Sequence, residues 1–140
     1  MSEMTDFRTK VDVQLRFRDT DALGHVNNAV YLEYLEVARL AWLKQALGAV
    51  ETKEFGVILA RVEVDYRSPA FHHETLVVGI RVVELGGASM KMEYRVEEKK
   101  TGRLVAEAKT VLVSYDYRAE KPVRWTDELR AKVEEYDGIA

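Results

Sequence analysis

A long apolar segment without helix breakers is the feature that most constrains the fold of this chain. Residues 29–48, AVYLEYLEVARLAWLKQALG, contain no Pro, and their one Gly closes the segment at position 48. Most of the side chains are Val, Tyr, Leu, Ala or Trp, so a helix formed here is apolar around most of its circumference. Such a helix has to be covered on most sides. We therefore expect a central helix from about Asn28, with Gly48 as its C-terminal cap.

Alternation of apolar and polar residues predicts the partner of this helix. Residues 10–18 carry apolar side chains at every second position, which is typical of a half-buried strand: Val11, Val13, Leu15 and Phe17. Four later segments also resemble strands, and they are separated by a loop and by Gly-centred turns: 56–68, 74–86, 88–100 and 103–116. One helix and a run of antiparallel strands predict an α+β fold, with a five-stranded antiparallel sheet wrapped around one long central helix. A cap-like Thr126 predicts a short C-terminal helix over about residues 126–136.

Composition limits the possible functions. The 140 residues carry a net charge of −3, which argues against a nucleic-acid partner, and they include no Cys, which excludes disulfides, thiolate zinc sites and a Cys nucleophile. No repeat or linker is visible, so we expect a single domain over 1–140 with its core at about 8–118. The polar N-terminal segment and the absence of a membrane-length apolar run predict a cytoplasmic protein with no membrane partner.

The loop before the helix, RDTDALGHVNN at residues 18–28, concentrates polar chemistry. The first N–H groups of a helix have no internal partners and carry positive potential, so they can polarise a carbonyl group. Gly24 permits a turn that brings a carboxylate, Asp19 or Asp21, beside them, and His25 could orient water or bind the acyl carbonyl. This combination predicts a minimal acyl-transfer site. The same residue types are also common in strand-to-helix loops, and we expect one Asp to be structural, as a turn former or as the partner of a nearby Arg.

Residues 19–39, DTDALGHVNNAVYLEYLEVAR, closely resemble the signature of the hotdog-fold acyl-CoA thioesterases, in the branch typified by 4-hydroxybenzoyl-CoA thioesterase. The order of strand, loop, long helix and four strands matches that family over about residues 8–118. The resemblance implies hydrolysis of an acyl-CoA to a free carboxylic acid and coenzyme A. It implies no metal and no cofactor, coenzyme A being part of the substrate.

Carried over by position, the resemblance implies a role for each loop residue. Asp21 corresponds to the catalytic carboxylate, acting as nucleophile or general base, and the backbone N–H of Asn28 to the group that polarises the thioester carbonyl. His25 completes the catalytic set. Leu23 stands where related plant acyl-carrier thioesterases have Asn, which weakens the expectation of an acyl-carrier substrate. Substrate contacts are expected at four further positions: Gly24, Val26, Asn27 and Tyr31.

The family's assembly implies a homodimer whose sheets join edge to edge, often paired into a homotetramer. Candidate contacts for the phosphates of coenzyme A are basic residues of the strands: Arg61, Arg67, Arg81 and Lys91. The acyl group, whether aromatic, short-chain or long-chain, stays open. Two alternative functions are a hotdog hydratase or dehydratase and a non-enzymatic acyl-CoA binding or sensing module.

Overall fold

A curled antiparallel sheet packs against one long helix in the computed structural model, which describes residues 2–48 and 56–139. The strands run in the order β1-β3-β4-β5-β2, and a short sixth strand pairs with the end of β5. In chain order the elements are β1 (Thr9–Gln14), α1 (Tyr31–Leu47), β2 (Val57–Tyr66), β3 (Thr75–Leu85), β4 (Ser89–Glu98), β5 (Leu104–Asp116), β6 (Lys121–Pro122) and α2 (Asp127–Asp137). The predicted architecture is confirmed, and β6 is an addition to the five expected strands.

The core lies between the inner face of the sheet and α1. Alternate residues of β3 and β4 point inward and are fully buried, as their period-two pattern requires: Leu76, Val78, Ile80, Val82, Met90, Met92, Tyr94 and Val96. From α1, Leu35, Ala38 and Trp42 pack into the same cluster. No helix in the described residues is long and apolar enough to cross a membrane.

The first strand is shorter than predicted. β1 ends at Gln14, and Phe17–Asp19 form a 3-10 turn in which Phe17 is 78% exposed. Alternation continues through Phe17 in the sequence, but the carboxylate of Asp19 accepts a hydrogen bond from the backbone N–H of Arg16 at 3.1 Å. This local side-chain bond lies on the side of β1 that faces away from β3, and it holds the 3-10 turn that follows the strand.

The central helix begins with a 3-10 turn over Asn28–Val30 and ends where expected, at Gly48, whose φ of 70° confirms the left-handed cap. α1 packs against β1, β3 and α2. In the part of the chain that the structure describes, Leu32, Val37 and Leu40 on the remaining side of α1 are exposed.

The C-terminal helix confirms the predicted cap, because the Thr126 side chain accepts a hydrogen bond from the N–H of Leu129. At the other end, Asp137 accepts hydrogen bonds from the indole N–H of Trp42 and from the N–H of Val82, both at 2.8 Å. Val82 lies at a bulge in β3. Asp137 therefore holds α2 against α1 and the sheet, and its burial raises the pKa of the carboxyl group.

Candidate active site

The loop that leads into α1 folds as a tight turn beside the helix N-terminus. Thr20 pairs with Val26, and the N–H of Asp21 donates to the carbonyl of His25 at 2.7 Å. Gly24, at φ 83°, supplies the left-handed conformation at which the chain reverses. The exposed Asp21 side chain accepts the N–H of Leu23 through Oδ1 at 2.8 Å. Its Oδ2 has no hydrogen-bond donor among the residues that the structure describes, so this oxygen is available to a ligand.

The second loop carboxylate, Asp19, is buried beneath this turn. It is 3% exposed, and it accepts hydrogen bonds from the Arg16 guanidinium and from the Tyr34 hydroxyl, each at 2.9 Å. Burial acts to raise the pKa of Asp19, but these hydrogen bonds outweigh it and hold the pKa below its ordinary value. Asp19 is thus the structural aspartate that we expected, with Arg16 as its partner.

The first turn at the helix start leaves one backbone donor free. Asn27 caps this turn: its side-chain oxygen accepts the N–H of Ala29 and its carbonyl accepts the N–H of Val30, both at 2.9 Å. The N–H of Asn27 donates to the carbonyl of Asp19 at 2.8 Å. Within the described chain, the N–H of Asn28 has no acceptor. It lies at the positive end of the helix and can receive a developing negative charge.

A cavity of about 300 Å³ opens at this helix start. One side is lined by His25, Val26, Asn28 and Tyr31, and the other by residues 66–69, at the end of β2 and in the loop that follows. Asp21, Gly24 and Asn27 belong to the adjoining turn and do not line it. A cavity of about 360 Å³ at the far end of α1, beside α2, is lined by none of the predicted site residues.

Aromatic contacts shape the walls of this cavity. The buried Tyr31 meets Tyr66 edge to face at 5.2 Å between ring centroids, and burial raises the pKa of Tyr31 to about 12, so its hydroxyl stays protonated at neutral pH. His25 pairs through its backbone with Phe71, and the two rings lie edge to face at 5.5 Å. These contacts join the loop after β2 to the loop before α1.

Comparison with known proteins identifies the family of this chain. The sequence model of the thioesterase-like superfamily matches residues 15–133, which include the loop, α1 and all of the sheet after β1. The chain belongs to the thioesterase-like superfamily. The resemblance found in residues 19–39 and the hotdog fold that it implied are thereby confirmed.

Several members of this superfamily match over most of their length. A crystal structure from Thermus thermophilus, described as a thioesterase complexed with coenzyme A and zinc, is 36% identical, with a TM-score of 0.86 over 96% of this chain and 98% of that one. The long-chain acyl-CoA thioesterase FadM of Escherichia coli K12 is 27% identical over 90% of this chain and 97% of its own. The acyl-CoA thioesterase YbgC of Haemophilus influenzae is 28% identical over 91% and 96%.

The described part of the chain contains no cluster of metal-ligating side chains. Among residues 2–48 and 56–139, no three His, Asp or Glu side chains lie close enough together to hold a metal ion. The adjacent pair His72 and His73 makes aromatic contacts instead, and the two rings lie edge to face at 5.8 Å.

Sequence reasoning missed Tyr66 and Ser68 as residues of the cavity wall. Tyr66 ends the alternating pattern of β2, but nothing local indicates that this strand end lies against the start of α1. Of the four basic residues predicted to bind phosphates, only Arg67 lines the cavity. All four also have acidic neighbours: Arg61 pairs with Glu63, Arg67 with Glu107, Arg81 with Glu93 and Lys91 with Glu84.

Proposed function

We propose that this chain is an acyl-CoA thioesterase, which hydrolyses the thioester of an acyl-CoA to a carboxylic acid and coenzyme A. The observation that carries the proposal is that Asn28, whose N–H has no acceptor in the described chain, lines a 300 Å³ cavity beside the turn that presents Asp21. The names of the similar proteins, FadM and YbgC, support a hydrolase rather than a hydratase or a binding module.

In the proposed mechanism the thioester carbonyl binds at the edge of the cavity nearest the loop. Its oxygen accepts the N–H of Asn28, and the helix dipole stabilises the negative charge that develops there. The side chains of Val26 and Tyr31 contact the acyl part, while Gly24 and Asn27 hold the turn and the helix start in place. His25, which lines the cavity, orients water or the carbonyl.

Asp21 supplies the carboxylate. In one route it attacks the carbonyl carbon and the C–S bond breaks, which gives a mixed anhydride that water then hydrolyses. In the other route it takes a proton from the attacking water and no covalent intermediate forms. The thiolate of coenzyme A is a good leaving group, so the proposal requires neither a metal nor an organic cofactor.

The test is release of thiol from a panel of aliphatic and aromatic acyl-CoAs, followed with a thiol-reactive dye. Because the chain contains no Cys, the protein gives no background. Asp21→Asn keeps the oxygen that accepts the N–H of Leu23, and should lose turnover about a hundredfold or more. Asp116→Asn is the matched control, because Asp116 also accepts the N–H two residues further on, at 2.9 Å, away from the site.

Each outcome assigns a function. Turnover that disappears only in Asp21→Asn supports the thioesterase and identifies the acyl class. Wild type and variant that both bind acyl-CoA without releasing thiol would instead indicate a binding module. A single turnover in water enriched in heavy oxygen tests the nucleophilic route. Label in the Asp21 carboxylate arises only when water attacks the aspartyl carbonyl of the mixed anhydride, so its appearance establishes the covalent intermediate.

We also propose that the active form is a homodimer joined through β2. This strand lies at the edge of the sheet, and the exposed side chains of Ile58 and Leu59 on β2, with Val37 and Leu40 on α1, leave an apolar surface beside it. An edge of this kind can pair with a second copy. The N–H of Arg67 donates to β5, so alternation directs the backbone groups of residues 62, 64 and 66 towards the open edge.

Charges on β2 favour one antiparallel register between two copies. With Val62 on the two-fold axis, Arg61 of each copy lies opposite Glu63 of the other. Centring the axis on Arg61 or on Glu63 would instead place like charges opposite each other.

Sedimentation of charge variants tests the dimer. Arg61→Glu alone and Glu63→Arg alone should weaken the dimer, and an equimolar mixture of the two should restore it as a heterodimer. A monomeric wild type, or single variants that dimerise as tightly as wild type, would contradict the proposed edge. The same experiment measures whether dimers pair into a homotetramer.

A further inference from the structure

Tyr66 links the edge strand to the helix start at the cavity. Its hydroxyl donates a hydrogen bond to the backbone carbonyl of Asn28 at 2.8 Å, and its ring lies edge to face on Tyr31 at 5.2 Å. The side chain lines the 300 Å³ cavity and is 44% exposed. Among the described residues the N–H of Asn28 has no acceptor, and Tyr66 reaches the backbone of this residue from a different element of the fold.

This bond completes the set of contacts that immobilise the first turn. The N–H groups of Ala29 and Val30 are held by Asn27, and the carbonyl of Asn28 is held by Tyr66. The N–H of Asn28 lies in the same peptide plane as the carbonyl of Asn27, which Val30 holds, and the carbonyl of Asn28 lies in the next plane, which Tyr66 holds. With both planes held, rotation about the Asn28 Cα is restricted, and so is the direction of the N–H. A donor that stabilises a developing oxyanion works best when it is held in place before the reaction.

We propose that Tyr66 is a positioning residue for thioester hydrolysis, whose hydroxyl orients the Asn28 backbone so that its N–H meets the thioester carbonyl. The inference rests on the proposed function, because it assigns Asn28 as the group that polarises the carbonyl. Burial raises the pKa of Tyr66, so the hydroxyl remains a donor at neutral pH.

Tyr66→Phe isolates the hydroxyl, because the ring that contacts Tyr31 remains. The chain offers a matched control at the other end of β2. The hydroxyl of Tyr117 donates to the carbonyl of Val57 at 3.1 Å, and its ring lies edge to face on Tyr115 at 5.3 Å. Tyr117→Phe therefore removes the same kind of bond from the same strand, away from the cavity.

The experiment combines kinetics with carbonyl spectroscopy. We expect Tyr66→Phe to lower kcat about three- to tenfold, as for the loss of one neutral hydrogen bond, with KM and the melting temperature close to wild type. The spectroscopic probes are ketone analogues of dodecanoyl-CoA and benzoyl-CoA, in which a methylene replaces the thioester sulfur. Binding to wild type should lower the infrared stretching frequency of the isotope-labelled ketone, and Tyr66→Phe should reduce that shift. Tyr117→Phe should change neither kcat nor the frequency.

Four results would overturn the inference. An unchanged kcat and carbonyl frequency in Tyr66→Phe would show that the hydroxyl does not orient the donor. A rise in KM alone would make Tyr66 a substrate contact, and equal losses in both variants would make the effect structural. Failure of wild type to hydrolyse any acyl-CoA would refute the proposed function and this inference together, and it would be visible before any variant is compared.

Discussion

Replacing Asp19 with alanine removes the carboxylate that anchors the site loop to α1. In the folded chain this carboxylate binds the hydroxyl of Tyr34, the guanidinium of Arg16 and the backbone N–H of Arg16. Tyr34 is 3% exposed, so water cannot replace its lost partner. The Arg16 side chain is 47% exposed and can be hydrated again, so its ion pair contributes little to the difference.

The expected cost follows from these exposures. An unsatisfied buried hydroxyl and an unpaired backbone N–H together should lower the free energy of unfolding by about 2–4 kcal/mol. Asp21→Ala is the comparison within the same loop. Asp21 is exposed and accepts one hydrogen bond from the adjacent turn, so its replacement should cost about 1 kcal/mol or less while abolishing the proposed activity.

Urea unfolding of four proteins tests the explanation: wild type, Asp19→Ala, Tyr34→Phe and the double variant. If the cost of Asp19→Ala comes mainly from the orphaned hydroxyl, it should fall to about half or less once Tyr34 carries no hydroxyl. The pKa of Asp19 is lowered in the fold, so its stabilisation is full above the unfolded pKa near 4 and is lost as the pH falls through the folded pKa. The cost of the variant should therefore shrink in acid. An equal cost of Asp19→Ala in both Tyr34 backgrounds would refute the reasoning.

Three further predictions concern side chains that hold the fold together. Asp137→Asn keeps an acceptor for both buried donors. Because the pKa of Asp137 is raised in the fold, wild type loses stability as the pH rises through that pKa, and the urea midpoint of the variant should rise relative to that of wild type between about pH 4 and pH 8. A constant difference between the two midpoints would contradict this. Gly79→Ala would place a Cβ 2.8 Å from Cγ of the buried Phe7 and should lower the free energy of unfolding by about 1–3 kcal/mol. An unchanged urea midpoint would show that the N-terminal segment moves aside at no cost in stability. Arg103→Ala removes the paired hydrogen bonds to Glu74, at 2.9 and 3.0 Å, and should speed amide hydrogen exchange in residues 67–74 without altering exchange in β4. Equal protection of these amides in the variant and in wild type would show that other contacts keep the loop ordered.

Local spacing was enough to predict the elements that do not depend on distant neighbours. The four later strands, the Gly48 cap and the Thr126 cap were all found where the sequence indicated. Each depends on residues within one or two turns of each other, so the pattern contains its own physical cause. β1 is the exception: the sequence alternates through Phe17, but the strand ends at Gln14 and a 3-10 turn follows, in which Asp19 accepts the N–H of Arg16.

In the candidate site, too, local features could be predicted from the sequence and contacts between elements could not. The family resemblance of the loop motif assigned the catalytic carboxylate to Asp21 and the polarising N–H to Asn28, and both assignments stay predictions. The turn and the helix start that carry them were predictable because they are local structures. The motif did not indicate which of the two aspartates is buried, because that depends on Tyr34 reaching the loop from one turn further along α1.

The sequence by itself determined the family, the order of the elements and the loop that carries the proposed chemistry, because periodicity, caps and motif spacing are properties of neighbouring residues. Only the tertiary structure decided which side chains share the cavity. Tyr66 meets Asn28 because β2, the first strand after the helix, pairs with β5 at the edge of the sheet. That pairing brings together residues 38 positions apart, and no local pattern in the chain specifies such a contact.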